Sequence, residues 1–195
     1  GVRAAVRVPE VCASDVFLKR LPRELDGLTV VHLSDLHATK LLNGPRVAEV
    51  VARVNALQAD VILCTGDMVD GTTVLREAAV APLRGLKARF GVYACEGNHE
   101  YYSGYRDWMN AFTDLGFRFL HNAHAVIRAG GRELVIVGLN DPVGPMFGQM
   151  GPDLRTALHG APPHAPVVVL AHRPEFAVEN AAHGADLQLS GHTHG

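Results

Sequence analysis

Short apolar runs rich in β-branched residues recur along the chain, and turn-forming residues close each of them. Runs of this length and composition predict buried strands. The predicted strands are Leu28–Leu33, Asp60–Thr65, Gly91–Cys95, Arg132–Leu139, Pro166–Ala171 and Ala185–Ser190. The hydrophobic pattern thus predicts strands along most of the chain.

Between these runs, apolar residues recur at three- and four-residue spacing, which predicts helices. The predicted helices are Pro45–Gln58, Val74–Ala88, Tyr105–Leu115 and Pro174–Ala182. Pro82 should kink or split the second helix, because proline cannot donate a helical hydrogen bond. Two short runs that flank the Gly130–Gly131 turn predict an antiparallel portion within Phe117–Leu139. Alternating strands and helices indicate an α/β layered domain.

Several predicted strands end in short polar segments of the same chemical character. These segments are Ser34–His37, Gly66–Asp70, Glu96–Glu100, Ala171–His172 and Gly191–Gly195. In an open α/β sheet, ligands bind in the crevice beyond the carboxyl ends of the strands. We therefore expect the polar segments to converge on one place.

The polar segments carry oxygen and nitrogen donors without sulfur, a set that suits Mn²⁺, Fe or Zn²⁺. The candidate ligands are Asp35, His37, Asp67, Asn98, His172, His192 and His194. Asp35 and His37 are two residues apart, as are His192 and His194, and in an extended segment such pairs point to the same side. Seven groups are too many for one tetrahedral ion and suit two. A water between two ions would become a hydroxide nucleophile near neutral pH.

Composition narrows the classes of function. The chain has 195 residues, 18 basic and 20 acidic side chains, and a formal net charge of −2. The basic residues are spread out rather than clustered, so we expect no nucleic-acid binding. The longest apolar stretch, Val167–Ala171, is far shorter than the roughly 18 residues of a transmembrane helix. Cys64 and Cys95 lie in apolar runs, which predicts buried free thiols.

These motifs, taken in order, resemble those of the calcineurin-like metallophosphoesterase superfamily. The matching segments are Asp35-x-His37, Gly66-Asp67-x-x-Asp70, Gly97-Asn98-His99-Glu100, His172 and Gly191-His192-x-His194. The phrases LSDLH, GDMVDG, GNHEYYSG, GLNDP, AHRPE and LSGHTHG further resemble the bacterial membrane-associated phosphohydrolase branch. The resemblance implies a fold of two packed β-sheets flanked by helices.

The resemblance also implies two divalent metal ions, with manganese favoured over iron or zinc. One ion would be bound by Asp35, His37 and His194, and the other by Asn98, His172 and His192, with Asp67 as the bridge. His99 would act beside the scissile phosphate, and Glu100 would orient and charge it. Asp70 would accept a hydrogen bond from a metal-ligating histidine.

The expected function is hydrolysis of a phosphodiester or pyrophosphate bond by a metal-bridging hydroxide. An enzyme similar to UDP-2,3-diacylglucosamine pyrophosphatase of lipid A synthesis, a nuclease and a non-catalytic scaffold are the alternatives. The substrate would be a phosphoester, with a lipid-linked compound or nucleotide sugar among the candidates, and peripheral membrane contact would suit it. We expect a bacterial protein that is membrane-associated or exported if an anchor or signal precedes Gly1, and cytoplasmic otherwise. The oligomeric state is left open.

Aromatic residues directly follow the His99 segment. Tyr101 and Tyr102, with Tyr105 and Trp108 beyond them, would either line a substrate pocket or cap the core under the next helix. Met146 and Phe147, in a Gly/Pro-rich stretch, would form either an apolar lip over the site or an ordinary surface loop. The superfamily normally continues past G-H-x-H with further strands, so residues 1–195 are expected to be a single catalytic domain that lacks its C-terminal strands.

Overall fold

The computed structural model describes residues 9–40 and 42–194 and shows two four-stranded sheets packed face to face. In the first sheet, β1 (Val30–Leu33), β2 (Val61–Cys64), β3 (Val92–Ala94) and β4 (Phe117–Phe119) are parallel and adjacent in that order. The second sheet has the order β5 (Ala123–Ala129), β6 (Arg132–Gly138), β7 (Val167–Leu170) and β8 (Leu187–Leu189). The expected α/β fold of two sheets flanked by helices is confirmed. Residues 1–8, Leu41 and Gly195, which include both ends of the predicted domain, lie outside the described residues.

Six α-helices occur in the described ranges: α1 (Gly44–Ala56), α2 (Thr73–Val80), α3 (Asn98–Tyr102), α4 (Tyr105–Asp114), α5 (Leu154–Ala157) and α6 (Ala177–Ala182). Short 3₁₀ helices span Arg23–Leu25, Ala81–Gly85, Gly144–Phe147 and Pro174–Phe176. The expected split at Pro82 is confirmed, since α2 ends at Val80 and a 3₁₀ helix follows it.

The predicted antiparallel portion is confirmed in part. β5 and β6 form an antiparallel hairpin around Gly130 and Gly131, with Ala129 opposite Arg132. Both glycines have a positive φ, 57° and 73°, which this tight turn requires. The run at Phe117–Phe119, however, pairs in parallel with β3 in the other sheet, so its assignment to the antiparallel portion was wrong.

Alternation of side chains along the central strands explains their unbroken apolar runs. In β2, Ile62 and Cys64 face a cluster formed with α1 and α4, whereas Leu63 faces the second sheet. In β6, Ile136 packs between the sheets, and Val137 packs on the opposite face with residues of α5. Each central strand is therefore covered on both faces.

Two smaller expectations can be compared with the structure. Cys64 and Cys95 are buried free thiols, as predicted, and burial raises the pKa of Cys64 to about 12. No helix in the described part of the chain is long and apolar enough to cross a membrane.

Truncation of a side chain between the sheets tests this packing. Leu63→Ala should lower the free energy of unfolding by about 2–5 kcal/mol, because it leaves a cavity between the sheets. Leu63 is 1% exposed, and Leu75 on α2, which is 64% exposed, provides the matched control. Urea denaturation followed by circular dichroism measures both variants. Equal losses for Leu63→Ala and Leu75→Ala would contradict the assigned core.

Candidate metal centre

Backbone hydrogen bonds join the loops that follow β1 and β2. The N–H of Asp35 donates to Gly66 O at 3.0 Å, and the N–H of His37 donates to Asp67 O at 2.9 Å. Both loops start at the carboxyl ends of neighbouring parallel strands. The Asp35-x-His37 and Gly66-Asp67 segments therefore lie side by side.

Further hydrogen bonds bring the second sheet to the same place. His172, just after β7, lies with its Nδ1 2.6 Å from Thr65 O at the end of β2. The N–H of Gly191, after β8, donates to His172 O at 2.9 Å, and the N–H of His192 donates to the Asp35 carboxylate at 3.0 Å. The carboxyl ends of both sheets thus form one site, and the predicted polar segments converge there.

The local backbone at this site differs from the expected one. Asp35, His37, Asp67, His192 and His194 all have a positive φ, between 43° and 72°. These are left-handed conformations, so the expectation that Asp35-x-His37 and His192-x-His194 are extended was wrong. Left-handed conformations cost non-glycine residues free energy and often mark functional sites.

Asp35, His37 and His194 form a first group of donor atoms. The Nε2 atoms of His37 and His194 are 3.2 Å apart. Asp35 Oδ1 lies 3.8 Å from the first of these nitrogens and 3.5 Å from the second. The group therefore presents three potential ligand atoms to one small volume.

Asp67, His172 and His192 form a second group. Asp67 Oδ2 lies 3.2 Å from His172 Nε2, which in turn lies 3.2 Å from His192 Nδ1. Because a carbonyl oxygen only accepts, the contact of His172 Nδ1 with Thr65 O places a proton on that nitrogen. In a neutral His172, Nε2 therefore carries the lone pair that faces the site.

The two groups meet at Asp67. Its Oδ2 is also 3.6 Å from His37 Nε2, while its Oδ1 accepts a hydrogen bond from the His99 N–H at 2.9 Å. Burial acts to raise the pKa of Asp67, but the hydrogen bond and charge of His172 and the contacts of His99 outweigh it, so the pKa is lowered. The pKa of His172 is raised, because the hydrogen bond and charge of Asp67 outweigh the lowering effect of burial.

Asp70 contacts two imidazoles from outside the donor groups. Its Oδ1 pairs with Nδ1 of His99, and its Oδ2 lies 3.1 Å from His37 Nδ1. The Nε2 atoms of both rings are thereby directed towards Asp67, with His99 Nε2 3.9 Å from Asp67 Oδ2. Asp70 therefore hydrogen-bonds to His99, whereas Nδ1 of His37 has no hydrogen-bond partner within the described residues. The predicted hydrogen bond from a metal-ligating histidine to Asp70 stays a prediction. His37, Asp67 and His99 also lie close enough to form a third group of donors.

Glu100 does not have its expected contact. The resemblance implies that Glu100 orients His99, but its carboxylate accepts hydrogen bonds from the N–H groups of Gly97, Asp67 and Met68 at 2.7–2.9 Å. That expectation was wrong, because Asp70 occupies the position beside the ring. Burial raises the pKa of Glu100 to about 7, the charge of Asp67 adds to the rise, and the three backbone hydrogen bonds oppose it.

The two tyrosines proposed for a substrate pocket have different environments. Tyr101 is 2% exposed, donates its hydroxyl hydrogen bond to Glu96 at 2.8 Å and stacks on Tyr105, so its assignment to the pocket was wrong. Tyr102 is 58% exposed, and its ring centre lies 5.8 Å from that of His99. Phe147, in the predicted apolar lip, lies 5.9 Å from the Tyr102 ring.

Sequence reasoning missed a hydrogen-bonded chain that supports Asp35. Ser34 donates to Asp35 Oδ2 at 2.6 Å, Thr65 donates to Ser34 at 2.7 Å, and His32 Nε2 lies 2.8 Å from the Thr65 hydroxyl. The only sequence signal was the position of these hydroxyls next to the predicted ligands. Asp141 and Arg173, another pair near the site, were also missed.

Comparison with known proteins decides the family. The family model for calcineurin-like phosphoesterase matches residues 28–195. The chain belongs to this family. As a calcineurin-like phosphoesterase, it is similar to the zebrafish (Danio rerio) "Transmembrane protein with metallophosphoesterase domain", with 33% identity over 202 residues that cover 100% of this chain and 46% of that protein.

Other relatives of this calcineurin-like phosphoesterase come from bacteria. An uncharacterized metallophosphoesterase of Helicobacter pylori is 31% identical, over 95% of this chain and 49% of that protein. The solved structure of Haemophilus influenzae NAD nucleotidase covers 86% of this chain and 43% of its own, with a TM-score of 0.63 and 18% identity, a likeness of fold. The chain spans about half the length of these curated relatives. Because these relatives include a vertebrate protein, membership of the bacterial membrane-associated phosphohydrolase branch stays a prediction.

Membership of the calcineurin-like phosphoesterase family implies divalent metals, and the donor groups fit them. Imidazole nitrogens face each other at 3.2 Å in two places, an arrangement that a cation stabilises. Asn98 is also buried, and no residue in the described ranges hydrogen-bonds to its Oδ1. A buried amide oxygen without a hydrogen-bond partner suits a hard metal ion.

A glycine substitution tests how closely the loops must approach. A Cβ atom on Gly97 would lie 2.3 Å from Asp67 Oδ1 and 2.7 Å from Asp67 N, so Gly97→Ala must displace Asp67. We expect at least a tenfold loss of Mn²⁺ affinity, measured by isothermal titration calorimetry. Gly151→Ala is the control, because its Cβ would meet Pro145 at an ordinary 3.7 Å. Wild-type affinity in the Gly97→Ala protein would contradict the close approach of these loops.

Proposed function

We propose that this metallophosphoesterase domain is a binuclear hydrolase that cleaves a phosphodiester or pyrophosphate bond. The observation that carries the proposal is the position of Asp67 Oδ2, 3.6 Å from a nitrogen of the first donor group and 3.2 Å from one of the second. A carboxylate in that position can bridge two cations. Asn98 would complete the second group, and manganese is the first metal to test.

The residues divide the chemistry between them. When bound, divalent ions would acidify a water and neutralise charge on the phosphoryl group. The contact with Asp70 fixes the ring of His99 and leaves its Nε2 directed into the site. From there a protonated His99 would donate a hydrogen bond to the phosphoryl group or a proton to the leaving oxygen.

The wider setting of the enzyme is proposed from its relatives and surface. A relative named as a transmembrane protein supports a membrane-associated location. Phe147, which is 42% exposed, and Tyr102, which is 58% exposed, add apolar surface close to the site and would suit a lipid-linked substrate. A non-catalytic scaffold is disfavoured, because the chain has His99 and every predicted ligand. A pyrophosphatase of lipid A synthesis stays a prediction from sequence resemblance alone.

Removal of the bridging carboxylate tests the metal centre. Asp67→Asn should lower kcat/KM for bis-p-nitrophenyl phosphate with Mn²⁺ by at least about a thousandfold and reduce the bound metal, because the amide binds cations less well. Asp107→Asn, at an exposed position on α4, removes the same charge and is the control. Turnover assays and elemental analysis after gel filtration provide the measurements. No metal-dependent turnover by the wild-type protein would refute the proposed function.

A second variant separates catalysis from metal binding. His99→Asn should lower kcat by about a hundredfold to ten-thousandfold, the usual range for loss of a general acid. Its bound metal should match that of the wild type, because His99 is assigned to the phosphoryl group. A loss of metal equal to that of Asp67→Asn would instead make His99 a ligand in the third donor group.

A further inference from the structure

A partly buried ion pair lies next to the second donor group. Arg173 directly follows His172, and its Nε donates to Asp141 Oδ2 at 3.1 Å, with Nη2 3.5 Å from Asp141 Oδ1. The Asp141 side chain is 0% exposed and that of Arg173 is 24% exposed. The carboxylate is therefore sealed inside the protein, while about a quarter of the Arg173 side chain remains exposed.

Asp141 also holds the turn that carries the apolar lip. Its Oδ1 accepts a hydrogen bond from the Val143 N–H, and its carbonyl oxygen accepts one from Gly144, where the 3₁₀ helix to Phe147 begins. A single buried carboxylate thus anchors both Arg173 and the start of this turn.

The turn that Asp141 holds connects Arg173 with the aromatic rings at the site, because that turn ends at Phe147. The ring of Tyr102 lies between those of His99 and Phe147, 5.8 Å from the first and 5.9 Å from the second. The two aromatic rings and His99 therefore border one region of the site, and Asp141 joins Arg173 to the turn that carries Phe147.

A buried ion pair is weak evidence of a stabilising role, because desolvation offsets most of its attraction. It does fix the guanidinium group in one orientation. Within residues 9–40 and 42–194, Nη1 of Arg173 has no hydrogen-bond partner, so its two N–H groups are free to bind a ligand. A fixed guanidinium group with free N–H donors matches the geometry of a phosphate.

We propose that Arg173, held by Asp141, binds a second phosphate of the substrate next to the scissile one, and that Tyr102 and Phe147 contact the group beyond it. The inference rests on the proposed function and narrows its substrate class to pyrophosphodiesters. The two phosphates of such a compound are adjacent, as the second donor group and Arg173 are adjacent through His172. Asp141 is a positioning residue in this arrangement.

The test compares a substrate that has a second phosphate with one that lacks it. The full chain is assayed with Mn²⁺ on ADP-ribose and on bis-p-nitrophenyl phosphate. The readout is the kcat/KM for ADP-ribose divided by the kcat/KM for bis-p-nitrophenyl phosphate. Arg173→Met should lower this ratio at least tenfold, because it removes charge-assisted hydrogen bonds to one substrate only. Arg173→Lys, which keeps the charge but loses the planar fork, should lower it less.

Arg128→Met is the matched control. Arg128 also pairs with a carboxylate, Glu133 at 3.0 Å, but it lies in the β5–β6 hairpin near its turn, at the opposite end of the sheet from the site. The ratio should stay at the wild-type value in this variant. Asp141→Asn should lower the ratio in the direction of Arg173→Met, and its thermal unfolding midpoint shows whether the protein still folds.

The outcomes separate this inference from the proposed function. Wild-type turnover of bis-p-nitrophenyl phosphate with none of ADP-ribose would overturn the inference and leave the function intact. If the ratio is unchanged in Arg173→Met, the Asp141–Arg173 pair has only a structural role and the inference is overturned. This holds both when the two activities fall together and when neither falls. Absence of metal-dependent turnover on both substrates would be a failure of the proposed function itself.

Discussion

The site depends on the crowding of lone-pair donors around one carboxylate. Asp67 Oδ2 lies 3.2 Å from His172 Nε2 and 3.6 Å from His37 Nε2, and each of these imidazoles faces another at 3.2 Å. Groups at such distances repel one another unless a proton or a cation lies between them. Without a proton or a cation the cluster is not held by its own contacts, so the surrounding fold must hold these groups together.

The fold does this with strained loops on rigid strands. Left-handed conformations at Asp35, Asp67 and His192 cost of the order of 1–3 kcal/mol each. Hydrogen bonds between loops hold these conformations, and Gly97 leaves the space that Asp67 needs. The strands beneath are buried on both faces, and this packing offsets the strain. Burial of the sheets therefore contributes to metal-site geometry as well as to stability.

Hydrophobic periodicity was enough to predict the long elements, such as α1 and the β5–β6 hairpin. It misplaced β4 and missed α3 and α5, because elements this short carry no clear period and depend on partners distant in the chain. The candidate ligands were predictable because parallel strands end at a common edge and their motifs follow a known order.

The role expected for Glu100 was wrong for a geometric reason. Glu100 neighbours His99 in sequence, but adjacent residues on a helix diverge, and Asp70 reaches the ring from another loop.

The short helix α3 shows how one segment combines chemistry with support. His99 and Tyr102 lie at the site, whereas Glu100 and Tyr101 turn into the core and bind buried polar partners. Carboxylates act as anchors three times around this centre: Glu100 holds the backbone of the β2 loop, Asp70 contacts two imidazoles, and Asp141 fixes a guanidinium group. Through Asp70, the Nε2 atoms of His37 and His99 are left facing Asp67, at 3.6 and 3.9 Å from its Oδ2.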